Sequence, residues 1–271
     1  MARVRALAGG TASAVHAVDV LDRAGTLHPL VLRRYVRGEG PEAPRREAAA
    51  LEATAALAVP TPRLVAVGSD AVLMTRLEGA LDWERPSLRR LAAVLPAIHA
   101  AAAPEELPPY APYPLTAERA PTPAFARAFA VFHGPPPSAE RRFIHRDYHP
   151  GNVLWRAGAI SGIVDWASAS LGAPAADVGH CRVNLDPAAA DRFLAAWRSV
   201  AGRDEYDPYW DVVAVLGGCT QADVDRFDAA DTAFLLRAVS SRRGRDGPRS
   251  GSSASPAAAA RAGCSGCCRS S

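Results

Sequence analysis

The chain has no lysine; all 31 of its basic residues are arginine. That absence excludes every enzyme whose chemistry needs a lysine amine, Schiff-base and pyridoxal enzymes included. Long apolar runs are missing too. None approaches the roughly 20 residues needed to span a bilayer, so no membrane partner is expected. Cysteine is scarce and unevenly placed, with Cys181 and Cys219 in the body and Cys264, Cys267 and Cys268 at the end. Such an odd set is no disulfide framework and points to a reducing, cytoplasmic setting. The terminal Cys-x-x-Cys-Cys lacks a second ligand pair at zinc spacing, so no metal is expected there. At the other end Arg3 and Arg5 precede alanine-rich sequence, but Gly9-Gly10-Thr11 interrupts any export signal.

What is abundant is alanine, 58 of 271 residues, in a chain that is 49% hydrophobic and 22% charged. This balance suits a globular protein with one large or two modest domains. It excludes collagen-like, coiled-coil and wholly disordered chains. The formal net charge of +3 is unevenly spread. Residues 241–271 hold six arginines against Asp246, a local +5 that leaves residues 1–240 at −2. A mildly acidic body gives no footprint for nucleic acid.

Alternation over 15–20 and 30–36, across a turn at Asp22-Arg23-Ala24-Gly25, predicts paired strands. A helix is expected over 45–57, ended by Val59-Pro60-Thr61-Pro62, followed by strands at 64–67 and 71–75. Several strands and one helix in such a short span make a small α+β unit. Beyond Gly79, helices are expected over 87–103, capped by Ser87, and over 125–132, flanking a proline-rich connector at 104–123. Phe143-Ile144 leads into a polar loop, and 153–155 with 160–164 form a hairpin across Ala157-Gly158. Three more helices follow: one opened by Asp186-Pro187 and ended by Gly202, one opened by Asp207-Pro208, and one over 228–239. From Ser241 on, Gly, Ser, Arg and Ala dominate without apolar periodicity, so 241–271 reads as a disordered tail.

The segment Phe143-Ile144-His145-Arg146-Asp147-Tyr148-His149-Pro150-Gly151-Asn152 contains His-Arg-Asp-x-x-x-x-Asn, then the hairpin, then Ile163-Val164-Asp165-Trp166. A kinase catalytic loop has that spacing for a physical reason. Its aspartate accepts the substrate hydroxyl proton and its asparagine helps to hold magnesium. A later aspartate binds the metal that bridges the nucleotide phosphates. Asp147, Asn152 and Asp165 fill those three places. On these residues the sequence resembles the aminoglycoside phosphotransferase and choline kinase-like group, small-molecule kinases with a protein-kinase-like two-lobed fold. The resemblance extends through His149-Pro150-Gly151, Leu7-Ala8-Gly9-Gly10-Thr11, Leu32-Arg33-Arg34, Arg46-Glu47, Ala97-Ile98-His99-Ala100 and Gly172-Ala173-Pro174-Ala175-Ala176-Asp177. It spans residues 5 to 240.

The resemblance implies an α+β fold in two lobes. The nucleotide-binding lobe over 1–76 is a small β-sheet with one main helix, and the larger, mostly helical lobe over 77–240 carries catalysis and acceptor binding. It implies ATP, with GTP open, and Mg2+ as cofactors, and transfer of the γ-phosphoryl group to a hydroxyl of a small molecule. Gly9, Gly10, Thr11 and Ser13 would steady the phosphates with Arg33, Glu47 would pair with that arginine, and Arg76 and Leu77 would lie at the adenine hinge. His145 and Asp177 would order the catalytic loop. Arg33, or Arg34, stands where protein kinases carry lysine; arginine keeps the charge but is bulkier and forked. The glycine loop begins near Met1, so an N-terminal helix usual in the group is expected to be missing. Residues 201–240 are rich in aspartate, and Asp207, Asp211 and Trp210 are the candidate acceptor-side residues for a cationic aminoglycoside or amino alcohol. The alternative there is an acidic, solvent-facing helical surface. Two other functions stay open: a catalytically weak or inactive nucleotide-binding regulator, and a metal hydrolase built on His145, Asp147 and His149.

Overall fold

The computed structural model describes residues 2–7, 13–35, 42–202 and 206–246. The chain begins with an antiparallel sheet. β1 (Ala2–Ala6), β2 (Ser13–Leu21) and β3 (Leu27–Tyr35) pair in sequence, β3 pairs on its other side with β5 (Ala71–Thr75), and β4 (Leu64–Val67) closes the far edge. The β2–β3 turn forms where expected because the Asp22 carboxylate accepts the Ala24 and Thr26 amides at 2.8 and 2.9 Å, an Asx turn. Between β3 and β4 runs α1 (Glu42–Thr54), which packs on β4 and β5. Its buried face is mostly alanine (Ala43, Ala48, Ala50) with Leu51, so the helix lies close to the sheet.

The rest of the chain is mostly helical. It contains β6 (Ala80–Leu81), α2 (Leu88–His99), α3 (Pro123–His133), β7 (Arg142–Ile144), β8 (Val153–Arg156), β9 (Ala159–Ile163), β10 (Ser170–Gly172), α4 (Pro174–Val183), α5 (Pro187–Ala201), α6 (Tyr209–Leu216), α7 (Gln221–Val224) and α8 (Ala229–Asp246). The β8–β9 hairpin turns at Ala157-Gly158 and takes β6 as a third strand, while β7 pairs with β10. Helix ends follow their local chemistry. Asp186 accepts the Ala189 amide at 2.9 Å ahead of Pro187, and Gly202, at φ 60°, ends α5. Ser87 does stand at the N-cap of α2, but it caps nothing with its side chain; only its carbonyl is used, by the Leu91 amide at 2.9 Å.

One expectation changes here. α8 continues to Asp246, past residue 241 where a tail was expected to begin. α4, one of the most buried helices, is marked in the sequence only by the Gly172 to Asp177 stretch that the resemblance includes. It is enclosed by α5 and α6, and Gly179 lies so near α6 that an added Cβ would come within 2.6 Å of the Trp210 carbonyl oxygen. Gly9, Gly10, Thr11 and the cysteines at 264, 267 and 268 lie outside the described residues. Among the described residues no helix is long and apolar enough to cross a membrane.

Candidate active site

The catalytic-loop sequence folds between β7 and β8. Residue 146 takes up φ 70°, a left-handed conformation that a non-glycine residue adopts only when its surroundings hold it. The hold is Asp177, near the start of α4. Its two carboxylate oxygens accept the His145 amide at 3.0 Å and the Arg146 amide at 2.6 Å, and one also meets His99 Nε2 at 3.0 Å. His145 is fully buried. Its Nδ1 accepts the Asp147 amide at 3.3 Å, so the ring proton sits on Nε2 and is given to the Val164 carbonyl at 3.0 Å. Both ring nitrogens are thereby committed to shaping the loop.

Asp147 emerges from this turn with its side chain 35% exposed. Asn152 Nδ2 donates to the Asp147 carbonyl at 2.8 Å and to its Oδ2 at 3.0 Å. His180 Nε2 stands 2.9 Å from Oδ1. Burial works to raise the carboxyl pKa, but the His180 hydrogen bond and the neighbouring histidines outweigh it and hold the group at about 2. Asp147 is therefore an anion throughout the neutral range.

Asn152 and Asp165 are brought together by the hairpin. Val153 pairs with Ile163, and the Val164 amide donates to the Asn152 carbonyl at 2.9 Å. Asp165 sits at φ 67° directly after this strand. With Nδ2 of Asn152 committed to Asp147, its Oδ1 is left to face a cation. An amide oxygen and a carboxylate form a hard-oxygen donor set that suits Mg2+.

Strand alternation decides between the two arginines of β3. Arg34 points out and pairs with Asp70 at 3.2 Å with both side chains about half exposed; Arg33 points in. Its Nη1 meets Asp165 Oδ1 at 2.7 Å, while its Nε is 3.5 Å from Glu47 Oε1 and has no hydrogen-bond partner. Glu47, on α1, is buried and accepts the Tyr35 hydroxyl at 2.6 Å. Burial pushes the Glu47 carboxyl up, with Arg33 and Tyr35 opposing. Burial likewise eases the proton off Arg33, but Glu47 and Asp165 more than reverse this and keep the guanidinium charged.

Other expected positions fall on both sides of the site. Ser13 opens β2 opposite Tyr35. Arg76 pairs with Asp19 at 2.7 Å, and Leu77 packs so closely on the hairpin that a Cβ at Gly162 would lie 2.6 Å from it. The expected acceptor side is corrected. Trp210 is buried against Tyr110 and Tyr209, and Asp211 is 3% exposed in a paired contact with Arg182, at 2.9 and 3.3 Å. The Asp207 carboxylate is spent on the Tyr209 amide at 2.8 Å, at the start of α6. Trp210 and Asp211 thus belong to the core of the helical lobe, while Asp223, Asp225, Asp228 and Asp231 lie exposed.

His180 and Trp83 were missed in the sequence. His180 follows Asp177 by one helical turn, a spacing that could have flagged it once α4 was known. Trp83 is 51% exposed, packs against His149 with ring centroids 5.3 Å apart and planes tilted by 33°, and sits over Gly151 where a Cβ would collide with it. Asp147, His149 and His180 each place one potential ligand atom within 4.8 Å of the others. His149 Nδ1 accepts the Gly151 amide at 3.1 Å, and its Nε2 lies 3.2 Å from Asn152 Nδ2. His145 is turned away altogether, so the hydrolase cluster is not assembled.

Comparison with known proteins agrees with this geometry. The sequence profile of the phosphotransferase enzyme family matches residues 3–209. No curated protein matches the chain. Among solved structures, a macrolide 2'-phosphotransferase, MphH from Brachybacterium faecium, is similar at 20% identity and TM-score 0.57 over 89% of each chain. A thermostable mutant of aminoglycoside phosphotransferase APH(4)-Ia, in ternary complex with AMP-PNP and hygromycin B, is similar at 18% identity and TM-score 0.61 over 90% of this chain and 95% of that one. A putative fructosamine-3-kinase from Thermobifida fusca follows at 18% identity and TM-score 0.56 over 89% of this chain and 93% of that one. These likenesses establish the two-lobed kinase-like fold, and the profile match over most of the chain establishes the lineage: the chain belongs to the phosphotransferase enzyme family.

Proposed function

We propose that the protein transfers the γ-phosphoryl group of ATP, with Mg2+, to a hydroxyl of a small molecule. The observation that carries this reading is the convergence of Asp147, Asn152 and Asp165 at one end of a single hairpin, with Arg33 reaching Asp165 from the other lobe. Asp147 orients the acceptor hydroxyl. With its pKa near 2 it is a weak base, suited to a loose phosphoryl-transfer transition state in which the proton leaves late. Asn152 Oδ1 and the Asp165 carboxylate would hold Mg2+, which when bound supplies charge neutralisation at the phosphates. Arg33, kept charged by Glu47, contributes a fixed cation on the phosphate side. Base binding is assigned to the hinge about Arg76 and Leu77, and phosphate contacts to the segment 9–13, of which Ser13 is described. The solved relative holding AMP-PNP together with hygromycin B supports an ATP-type nucleotide beside a small-molecule acceptor.

The burial of Asp211 and Trp210 removes the support those residues gave to a polycationic acceptor. The acceptor class is therefore a hydroxyl-bearing small molecule, and an ATP-consumption screen over macrolides, aminoglycosides, amino alcohols and sugar amines identifies it. Asp147→Ala is expected to lower turnover about 1000-fold or more while nucleotide affinity is kept. Turnover that survives this substitution sinks the reading. The Arg33–Asp165 pair favours one second reading, a nucleotide binder that does not turn over. That reading predicts tight ATP binding with no consumption across the whole panel.

A further inference from the structure

α4 presents Asp177 and His180 one turn apart, at i and i+3, on the same face. Residues 145 to 147 run across that face. Asp177 takes the amides of His145 and Arg146, and His180 Nε2 donates to Oδ1 of Asp147 at 2.9 Å. From the turn ahead of β8, Asn152 donates to the other oxygen, Oδ2, at 3.0 Å. A carboxylate held at one oxygen can still swing about its terminal torsion, which is broad for aspartate. Held at both oxygens by donors from separate elements, it has one plane. The α4 donor is itself well anchored: Gly179 packs on the Trp210 backbone, and Arg182 is clamped to Asp211 at 2.9 Å.

Building on the reading of Asp147 as the residue that receives the acceptor hydroxyl, we propose that His180 is its positioning residue. His180 fixes the carboxylate plane so that a remaining lone pair faces the hydroxyl, and it takes no part in proton transfer. The second donor matters because a misplacement of about 1 Å at a reacting group can cost on the order of 100-fold in rate. Each oxygen of a carboxylate can accept more than one hydrogen bond, so His180 occupies Oδ1 without closing it to the substrate.

Substitutions at this position separate a hydrogen-bond role from a packing role. His180→Phe keeps a ring and removes the donor, whereas His180→Gln keeps an N–H at similar reach. His180→Asn is polar but one methylene shorter. The readout is kcat, for the identified acceptor or for Mg-dependent ATP hydrolysis with water as acceptor, alongside the nucleotide dissociation constant and the melting temperature. His180→Phe and His180→Asn are expected to lose about 10- to 100-fold in kcat with nucleotide affinity unchanged. His180→Gln is expected to stay within about 3-fold of the parent protein. A folded His180→Phe protein as fast as the parent overturns the proposal, and so does a His180→Gln protein as slow as His180→Asn. If His180→Phe does not fold, the Gln-against-Asn contrast alone decides. An unsubstituted protein that turns nothing over overturns the proposed function and this inference together. Turnover lost in Asp147→Ala but unaffected in every His180 variant overturns this inference alone.

Discussion

The two lobes each bury an arginine, a carboxylate and a tyrosine in contact, yet the two triads are wired differently. In the helical lobe each nitrogen of the Arg182 guanidinium is hydrogen-bonded: Nε and Nη2 meet Asp211 at 2.9 and 3.3 Å, and Nη1 donates to the Ala190 carbonyl at 2.8 Å. Tyr206 donates to the same aspartate at 2.6 Å. In the sheet lobe Tyr35 makes the matching 2.6 Å bond to Glu47, but Arg33 stays 3.5 Å from that glutamate, leaves Nε without a hydrogen bond and extends Nη1 to Asp165. The first triad uses every arm to hold helices together. The second keeps an arm for the cleft. Residue type alone does not distinguish a strut from a functional group; the satisfaction of its donors does.

The largest effect should come from breaking the Arg182 triad. Arg182→Met leaves Asp211 buried and uncompensated and should cost about 3–5 kcal/mol of stability, read from denaturant or thermal unfolding. Adding Asp211→Leu should recover most of that loss, because the pair then leaves no orphaned charge. Arg33→Met should act on rate instead, lowering turnover about 100- to 1000-fold. Its cost in stability should be smaller, because Glu47, already pushed up by burial, can take a proton and keep its bond to Tyr35. If Arg33→Met unfolds the protein as far as Arg182→Met does, the contrast between the triads is wrong.

A finer comparison removes only the hydroxyls. Tyr35→Phe should cost about 2 kcal/mol and Tyr206→Phe about 1 kcal/mol, since Asp211 keeps two short arginine contacts and Glu47 keeps none. Equal losses in paired unfolding experiments would argue that the two carboxylates are equally well served. The smallest effect lies outside both triads. Burial chiefly, with His180 and His145 adding to it, holds the His149 imidazole down to about 4 against the pull of Asp147. The unfolded chain takes up that proton near 6.5, so the stabilisation is complete above 6.5 and erodes as pH falls towards 4. Between pH 7 and pH 5.5 the loss should be about 1 kcal/mol, and His149→Asn should flatten that slope.

How much of this was legible in the sequence depended on the range of each signal. The hairpin, the strands at 64–67 and 71–75 and the helix between Asp186 and Gly202 were readable because turn and cap residues act on their neighbours. The loop from His145 to Asn152 was readable because kinase chemistry fixes its spacing. α4 was not, because it buries Ala176, Asp177, Val178, Gly179, Cys181 and Arg182 and so shows no polar stripe. His180 was hidden along with it. Asp211 and Trp210 were misplaced because a local cluster of acids and aromatics says nothing of Arg182, 29 residues earlier, which neutralises the aspartate. The choice between Arg33 and Arg34 likewise waited on Asp165, 132 residues away from Arg33.

Trp83 gives the catalytic loop its own optical reporter. Of the five tryptophans, Trp166, Trp197 and Trp210 are buried and Trp155 has its indole N–H enclosed, while Trp83 is 51% exposed and packed against His149. A collisional quencher dissolved in the buffer therefore reaches Trp83 first. Whatever settles over His149 and Gly151 shields that one fluorophore, so occupancy of the loop can be followed in the unlabelled protein by its emission alone.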